Sequence, residues 1–145
     1  MTKPARARRD DFAYFLRLQT RWMDNDVYHH VNNVNYYSYF DTVVNHYLMA
    51  HGDLDFRTSE VIGVVINSSC TYYKPLAFPD EIDAGLTVRH LGTTSVRYGV
   101  GIFRAGEDEP AAEGDFVHVF VTRRDMQKIL IPGNMRAALE AIASD

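Results

Sequence analysis

Cysteine is all but missing. Cys70 stands alone among 145 residues, so no disulfide can form within the chain and a reducing, cytoplasmic setting is expected. Long apolar runs are missing too. Nothing approaches the ~20 residues that span a bilayer, and the N-terminus has no extended apolar core of the secretory kind. No membrane partner is expected, and the glycosylation sequon Asn67-Ser68-Ser69 reads as chance. There is no excess of positive charge: 15 Lys and Arg against 19 Asp and Glu give a net charge of −4. Phosphate backbones are gripped by basic faces, so a nucleic-acid partner is not expected. The one basic cluster, Lys3 to Arg9, falls in residues 1–11, which read as a flexible, solvated N-terminal tail; an anion-contacting arm is the alternative. Internal repeats, low-complexity stretches and linkers are absent. Residues 1–145 therefore read as one domain, and 46% apolar residues suffice for a core without covalent staples.

What the chain does have is a dense polar stretch, Asp24-Asn25-Asp26-Val27-Tyr28-His29-His30-Val31-Asn32-Asn33, directly ahead of an amphipathic run ending near Ala50. Tyr36, Tyr37, Phe40, Val43, Val44, Tyr47 and Leu48 recur at steps of three and four, predicting one long helix with a broad aromatic and apolar face. Asn32 or Asn33 can cap its start, and Gly52 can end it. The first N–H groups of a helix have no partner within it and favour negative charge, so polar residues gathered there suggest a site.

Strands are predicted around Phe12–Trp22, Val61–Tyr73, Glu81–His90, Thr94–Arg104 and Asp115–Arg124, from alternation or β-favouring composition. The run Val61-Ile62-Gly63-Val64-Val65-Ile66 is almost continuously apolar, as in a strand covered on both faces; Gly63 marks a bulge or a close backbone approach. A short helix is expected over Asn134–Ile142. This order reads as α+β: an antiparallel sheet of about five strands around one long helix, with a short C-terminal helix.

Arg21-Trp22-Met23-Asp24-Asn25-Asp26, then His30-Val31-Asn32-Asn33 and Tyr36, resembles the opening motif R-[FYW]-x-D-x-D-x-x-G-H-V-N-N-x-x-Y of hotdog-fold acyl-CoA thioesterases, the 4-hydroxybenzoyl-CoA thioesterase family. His29 departs from it, standing where many members carry Gly; it either avoids a positive φ or lines a pocket. The resemblance implies a hotdog fold assembled as a homodimer or homotetramer, with sheets joined edge to edge. It implies an acyl-CoA substrate, hydrolysed to a carboxylic acid and CoA without a metal or redox cofactor.

The second Asp of the family's D-x-D is its catalytic carboxylate, a position that Asp26 occupies. Asp26 would attack the thioester carbonyl as nucleophile or activate water as general base; as an isolated residue it would read as a loop or capping Asp. The resemblance makes the backbone N–H of Asn33 the donor to the developing oxyanion, a role compatible with N-capping. It places His30 near the thioester or as an orienter of the loop, and Asp24 as a structural residue bonded to backbone N–H groups. Tyr36, Tyr37, Asn32 and His29 are candidates to contact substrate, with core packing the plain alternative for the tyrosines. Adjacent histidines beside two carboxylates raise a metal reading, but no third His or Cys follows at ligand spacing, so none is expected. His46 and His51 read as surface or core residues. Arg89, Arg97, Arg104, Arg123 and Arg124 are candidates for the CoA phosphates, with solvated strand faces as the default. Two rivals are a hotdog hydratase or dehydratase, whose G-D-x-N-P-x-H signature is absent, and a non-catalytic acyl-CoA-binding hotdog protein.

Overall fold

The computed structural model describes residues 6–144. Five strands form one antiparallel sheet: β1 (Tyr14–Gln19), β2 (Val61–Tyr72), β3 (Glu81–Leu91), β4 (Ser95–Arg104) and β5 (Ala112–Thr122), in spatial order β1-β3-β4-β5-β2. Helix α1 (Asn33–His51) connects β1 to β2, and α2 (Gly133–Ala141) follows β5. This is the hotdog arrangement, with the sheet curled round α1.

The three- and four-residue apolar rhythm of α1 does what periodicity requires. Tyr36, Tyr39, Phe40, Val43, Val44, Tyr47 and Leu48 are buried on one side, facing Leu86, Tyr98, Val100 and Phe116 of the sheet in one continuous core. Asn32 caps the start, its Oδ1 accepting from Val34 N–H at 3.1 Å. At the other end Gly52 N–H donates to the Leu48 carbonyl at 2.8 Å, and the left-handed turn falls on Asp53 (φ 59°). Met135, Ala138 and Leu139 of α2 close one end of the core, where the Tyr47 hydroxyl donates to the Ala138 carbonyl at 2.5 Å.

Several expectations need correction. β2 is not covered on both faces: Val61–Val64 are only half-buried, and Val65 and Ile66 are exposed. It is also one of the two edges of the sheet, paired among the described residues with β5 alone. Its apolar run gains no second neighbour within the chain. Gly63 marks neither a bulge nor a backbone approach. A Cβ there would sit 2.6 Å from Nδ1 of His118, so the missing side chain makes room for an imidazole, while the bulge falls between Val65 and Asn67. β5 begins at Ala112, earlier than expected, because Glu113 and Gly114 break the apolar alternation without breaking the ladder.

The described part of the N-terminal segment is not a free tail; residues 1–5 lie outside the described residues. Arg9 forms an ion pair with Asp83 at 2.9 Å and donates to the Glu107 carbonyl, and Ala7 N–H donates to Glu113 Oε2 at 2.9 Å. Phe12 is buried against Phe103 on the sheet face opposite α1.

Candidate active site

Between β1 and α1 the chain makes a single 3-10 turn, Trp22–Asp24, and then a tight loop. Asn25 and Val31 form an antiparallel bridge; within it Asp26 N–H donates to the His30 carbonyl at 2.9 Å and His29 N–H to the Asp26 carbonyl at 3.0 Å. Reversing direction over so few residues needs a left-handed residue, and His29 supplies it with φ 68°. His29 therefore does not avoid a positive φ: it adopts the conformation that a glycine takes without steric cost, one for which His is among the more tolerant side chains. It also borders a hollow of about 310 Å³ with Trp22, Asn25 and Asp26.

Asp24 holds this loop to the helix. Its side chain is 0% exposed, and its carboxylate accepts Arg21 N–H at 2.9 Å, Arg21 Nε at 3.0 Å and the Tyr39 hydroxyl at 2.7 Å. Its carbonyl accepts Asn32 N–H and Asn35 Nδ2, both at 2.9 Å. One residue thus ties the 3-10 turn, the helix cap and the second turn of α1 together. Burial alone would raise the Asp24 pKa, but the Arg21 N–H, the Tyr39 hydroxyl and the Arg21 guanidinium outweigh it and hold the carboxyl below the usual range. Burial and the neighbouring carboxylate push the Tyr39 phenol well above its ordinary value, so it remains a donor. The sequence reading assigned no role to Tyr39. Its signal was available, since it lies three residues beyond Tyr36 on the same helix face.

Asp26, two residues on, is half-buried. One carboxylate oxygen accepts Tyr28 N–H at 2.8 Å, closing an Asx turn, and the other accepts nothing from any described residue. Asn33 opens α1 just after the Asn32 cap, and its N–H has no hydrogen-bond partner among the described residues. Asn33, His30 and Tyr36 border a hollow of about 320 Å³ with Tyr72, Tyr73 and Lys74 from the end of β2. The Tyr72 hydroxyl donates to the Asn33 carbonyl at 3.1 Å, and its ring meets that of Tyr36 edge to face at 5.0 Å. Burial pushes the Tyr36 phenol to about 12. Within one chain, then, Asp26 and Asn33 border different hollows of the same loop. Asn32 serves as the cap, and Tyr37 is half-buried against the core with its ring edge-on to Phe40. Tyr72, Tyr73 and Lys74 were not foreseen, because only the fold brings the end of β2 to the start of α1.

A larger hollow of about 400 Å³ lies at the opposite end of α1, between Gly52 and the start of α2, away from the polar loop. Among the described residues no three His, Cys, Asp or Glu side chains are grouped to hold a metal ion. Of the arginines considered for phosphates, Arg89 is paired with Asp115 and Arg104 with Asp80 and Glu107, while Arg123 donates to the carbonyls of Ser59 and Phe56. No helix among the described residues is long and apolar enough to cross a membrane.

Sheet, central helix and polar loop at the helix start together define a hotdog-fold protein of the thioesterase type. The profile of the thioesterase superfamily matches residues 28–111, more than half of the chain, and the chain belongs to that family. Among solved structures, the PA5185 protein of Pseudomonas aeruginosa strain PAO1 is similar at 49% identity and a TM-score of 0.95, over 97% of this chain and 99% of that one. The dynemicin thioesterase shares the fold at 16% identity and a TM-score of 0.84, over 91% and 98% of the two chains. So does the 1,4-dihydroxy-2-naphthoyl-CoA thioesterase of Synechocystis, at 15% identity and a TM-score of 0.78, over 87% and 94%. No curated protein matches the sequence significantly.

Proposed function

We propose that the protein hydrolyses acyl-CoA thioesters to a carboxylic acid and free CoA, in the cytoplasm and without a metal or redox cofactor. Family membership supports thioester chemistry. The observation that carries the reading to these residues is a carboxylate with an unbonded oxygen, Asp26, and an unpartnered helix-start N–H, Asn33, on one loop clamped by Asp24.

Either Asp26 attacks the thioester carbonyl, expelling the CoA thiolate and leaving a mixed anhydride that water hydrolyses to the acid, or it draws a proton from the water that attacks, and the tetrahedral intermediate then breaks its C–S bond. In both routes the thiolate takes up a proton to leave as CoA-SH. The helix-start N–H of Asn33, aided by the positive end of the α1 dipole, receives the charge that develops on the carbonyl oxygen. His30 and Tyr36 border the hollow beside that N–H and contact the substrate there; His29 borders the hollow beside Asp26. Tyr37 and Asn32 act indirectly, by packing and by capping. Assembly as a homodimer or homotetramer would cover β2, whose exposed Val65 and Ile66 and free backbone edge invite pairing with a second copy.

The test is release of free thiol from short-chain, long-chain and aromatic acyl-CoAs by wild type and Asp26→Asn. Wild type should turn over at least one substrate class, with Asp26→Asn losing about 100-fold or more in kcat while its circular dichroism is unchanged. Unchanged thiol release in Asp26→Asn would remove Asp26 from the chemistry. Tight acyl-CoA binding by wild type without thiol release would instead mark a non-catalytic binding protein.

A further inference from the structure

The basic N-terminal segment finds a use that the proposed chemistry leaves open. Thioester hydrolysis at Asp26 and Asn33 says nothing of what recognises the other end of the substrate, where the CoA nucleotide carries a diphosphate and a 3′-phosphate. Its recognition needs cations not already neutralised, near the hollow that begins at Asn33. Lys74 borders that hollow but forms an ion pair with Glu107 at 2.5 Å, and Arg104 is held by Asp80 and Glu107.

Arg6 differs. It forms no ion pair with any described residue, and its guanidinium lies 4.2 Å over the ring of Tyr73, which itself borders the Asn33 hollow. A guanidinium stacked on an aromatic ring spends its face on the ring and keeps its in-plane N–H donors for an anion. The segment carrying it is fixed: Arg9 is anchored on Asp83, Ala7 N–H on Glu113, and Arg8 N–H on Asp11 Oδ2. Arg6, Ala7 and Arg8 form the wall of a further hollow of about 380 Å³ with Glu109. Glu109 and Glu113 are the carboxylates nearby. Ala7 N–H donates to Glu113, and neither carboxylate forms an ion pair with Arg6 or Arg8 among the described residues, so the Arg6 donors stay open to an anion.

We propose that Arg6 binds the phosphates of the CoA nucleotide, so that the N-terminal segment makes the protein select CoA thioesters over thioesters of carriers that lack the nucleotide. The inference rests on the acyl-CoA reading above and deepens it. Tyr73 acts as a platform that holds the guanidinium toward the nucleotide while its other surroundings form the thioester end of the site.

Arg6→Ala and Arg6→Lys are compared with wild type on two substrates bearing one acyl group, the CoA thioester and the N-acetylcysteamine thioester, which has no phosphate. Arg6→Ala should raise KM about tenfold for the CoA thioester, as expected for loss of a charge-assisted hydrogen bond, with kcat held and the N-acetylcysteamine reaction unchanged. Arg6→Lys should recover part of the loss, because it restores charge without the planar fork. An equal loss on both substrates, or none on either, overturns the inference. Calorimetric titration with free CoA and with pantetheine separates this from failure of the hydrolase reading. If wild type hydrolyses neither thioester, a wild-type preference for CoA that Arg6→Ala abolishes still upholds the Arg6 contact, and equal CoA affinity of the two proteins refutes it.

Discussion

Asp24 and His118 are both almost fully enclosed, at 0% and 1% exposure, yet the chain treats them in opposite ways. Every side of Asp24 is bonded: a backbone N–H, a guanidinium and a phenol reach its carboxylate, and two more donors reach its carbonyl. His118, on β5 at the core face of the sheet, has a buried Nδ1 with no hydrogen-bond partner among the described residues; its ring stands edge-on to Tyr98, whose hydroxyl is likewise buried without a described partner. Burial drives the two groups apart in charge. Asp24 stays ionised because its donors outweigh desolvation, whereas desolvation pushes His118 down to about 4 and keeps it neutral. A charge is buried where it organises the candidate site, and a titratable ring is buried uncharged where it only fills the core.

The comparison breaks most severely at Asp24. Asp24→Ala leaves the Tyr39 hydroxyl without its acceptor and releases Arg21, with an expected loss of about 3–5 kcal/mol of unfolding free energy in a urea titration. It should also lower kcat in any substrate turned over, because the loop bearing Asp26 loses its tie to α1. Asp24→Asn keeps the shape and should lose less. A loss below about 1 kcal/mol in Asp24→Ala would mean that the clamp contributes little in solution. The pH sense follows from the depressed pKa. The contribution of Asp24 is present above the ordinary carboxyl value of 3.8 and disappears as pH falls through the lower folded value.

His118 produces a second pH dependence at higher pH. Its folded pKa, about 4, lies below the unfolded 6.5, so between these values the unfolded chain holds the extra proton. Stability is complete above 6.5 and declines as pH falls toward 4, by about 3 kcal/mol over the window at ~1.4 kcal/mol per pH unit. Urea titrations at several pH values should show this slope in wild type and its absence in His118→Phe. A wild-type stability flat from pH 6.5 to 4 would show that the ring gains a partner or solvent when protonated.

Much of this was legible in the chain itself. The spacing from Tyr36 to Leu48 gave α1 to within a turn, and the D-x-D and H-V-N-N blocks located the loop, because both depend on residues close in sequence. What escaped the reading depends on pairs far apart. Arg9 meets Asp83, and Tyr73 meets Arg6, only once the sheet is assembled. The exposure of β2 is not legible locally, because an apolar run looks the same in a strand whose faces are both covered and in one whose side chains are left open. Phe116, His118 and Phe120 alternate with valines on β5 and so share one face, but the notch at Gly63 that receives the imidazole comes from the neighbouring strand β2 and has no local signal.

The smallest effect tests the unbonded side of the comparison directly. A hydroxyl buried without a partner is a net cost, so removing it should help rather than harm. Tyr98→Phe deletes one such oxygen and keeps the ring that packs against His118. The expected result is a gain of up to about 1 kcal/mol in the urea midpoint analysis, with m unchanged. The two sites would then differ in kind: truncation at Asp24 weakens the fold, and truncation at Tyr98 strengthens it. Destabilisation by more than about 1 kcal/mol in Tyr98→Phe would instead show that the hydroxyl is bonded in solution. The His118–Tyr98 pair would then belong with Asp24 as a satisfied polar cluster, and the pH slope assigned to His118 should shrink with it.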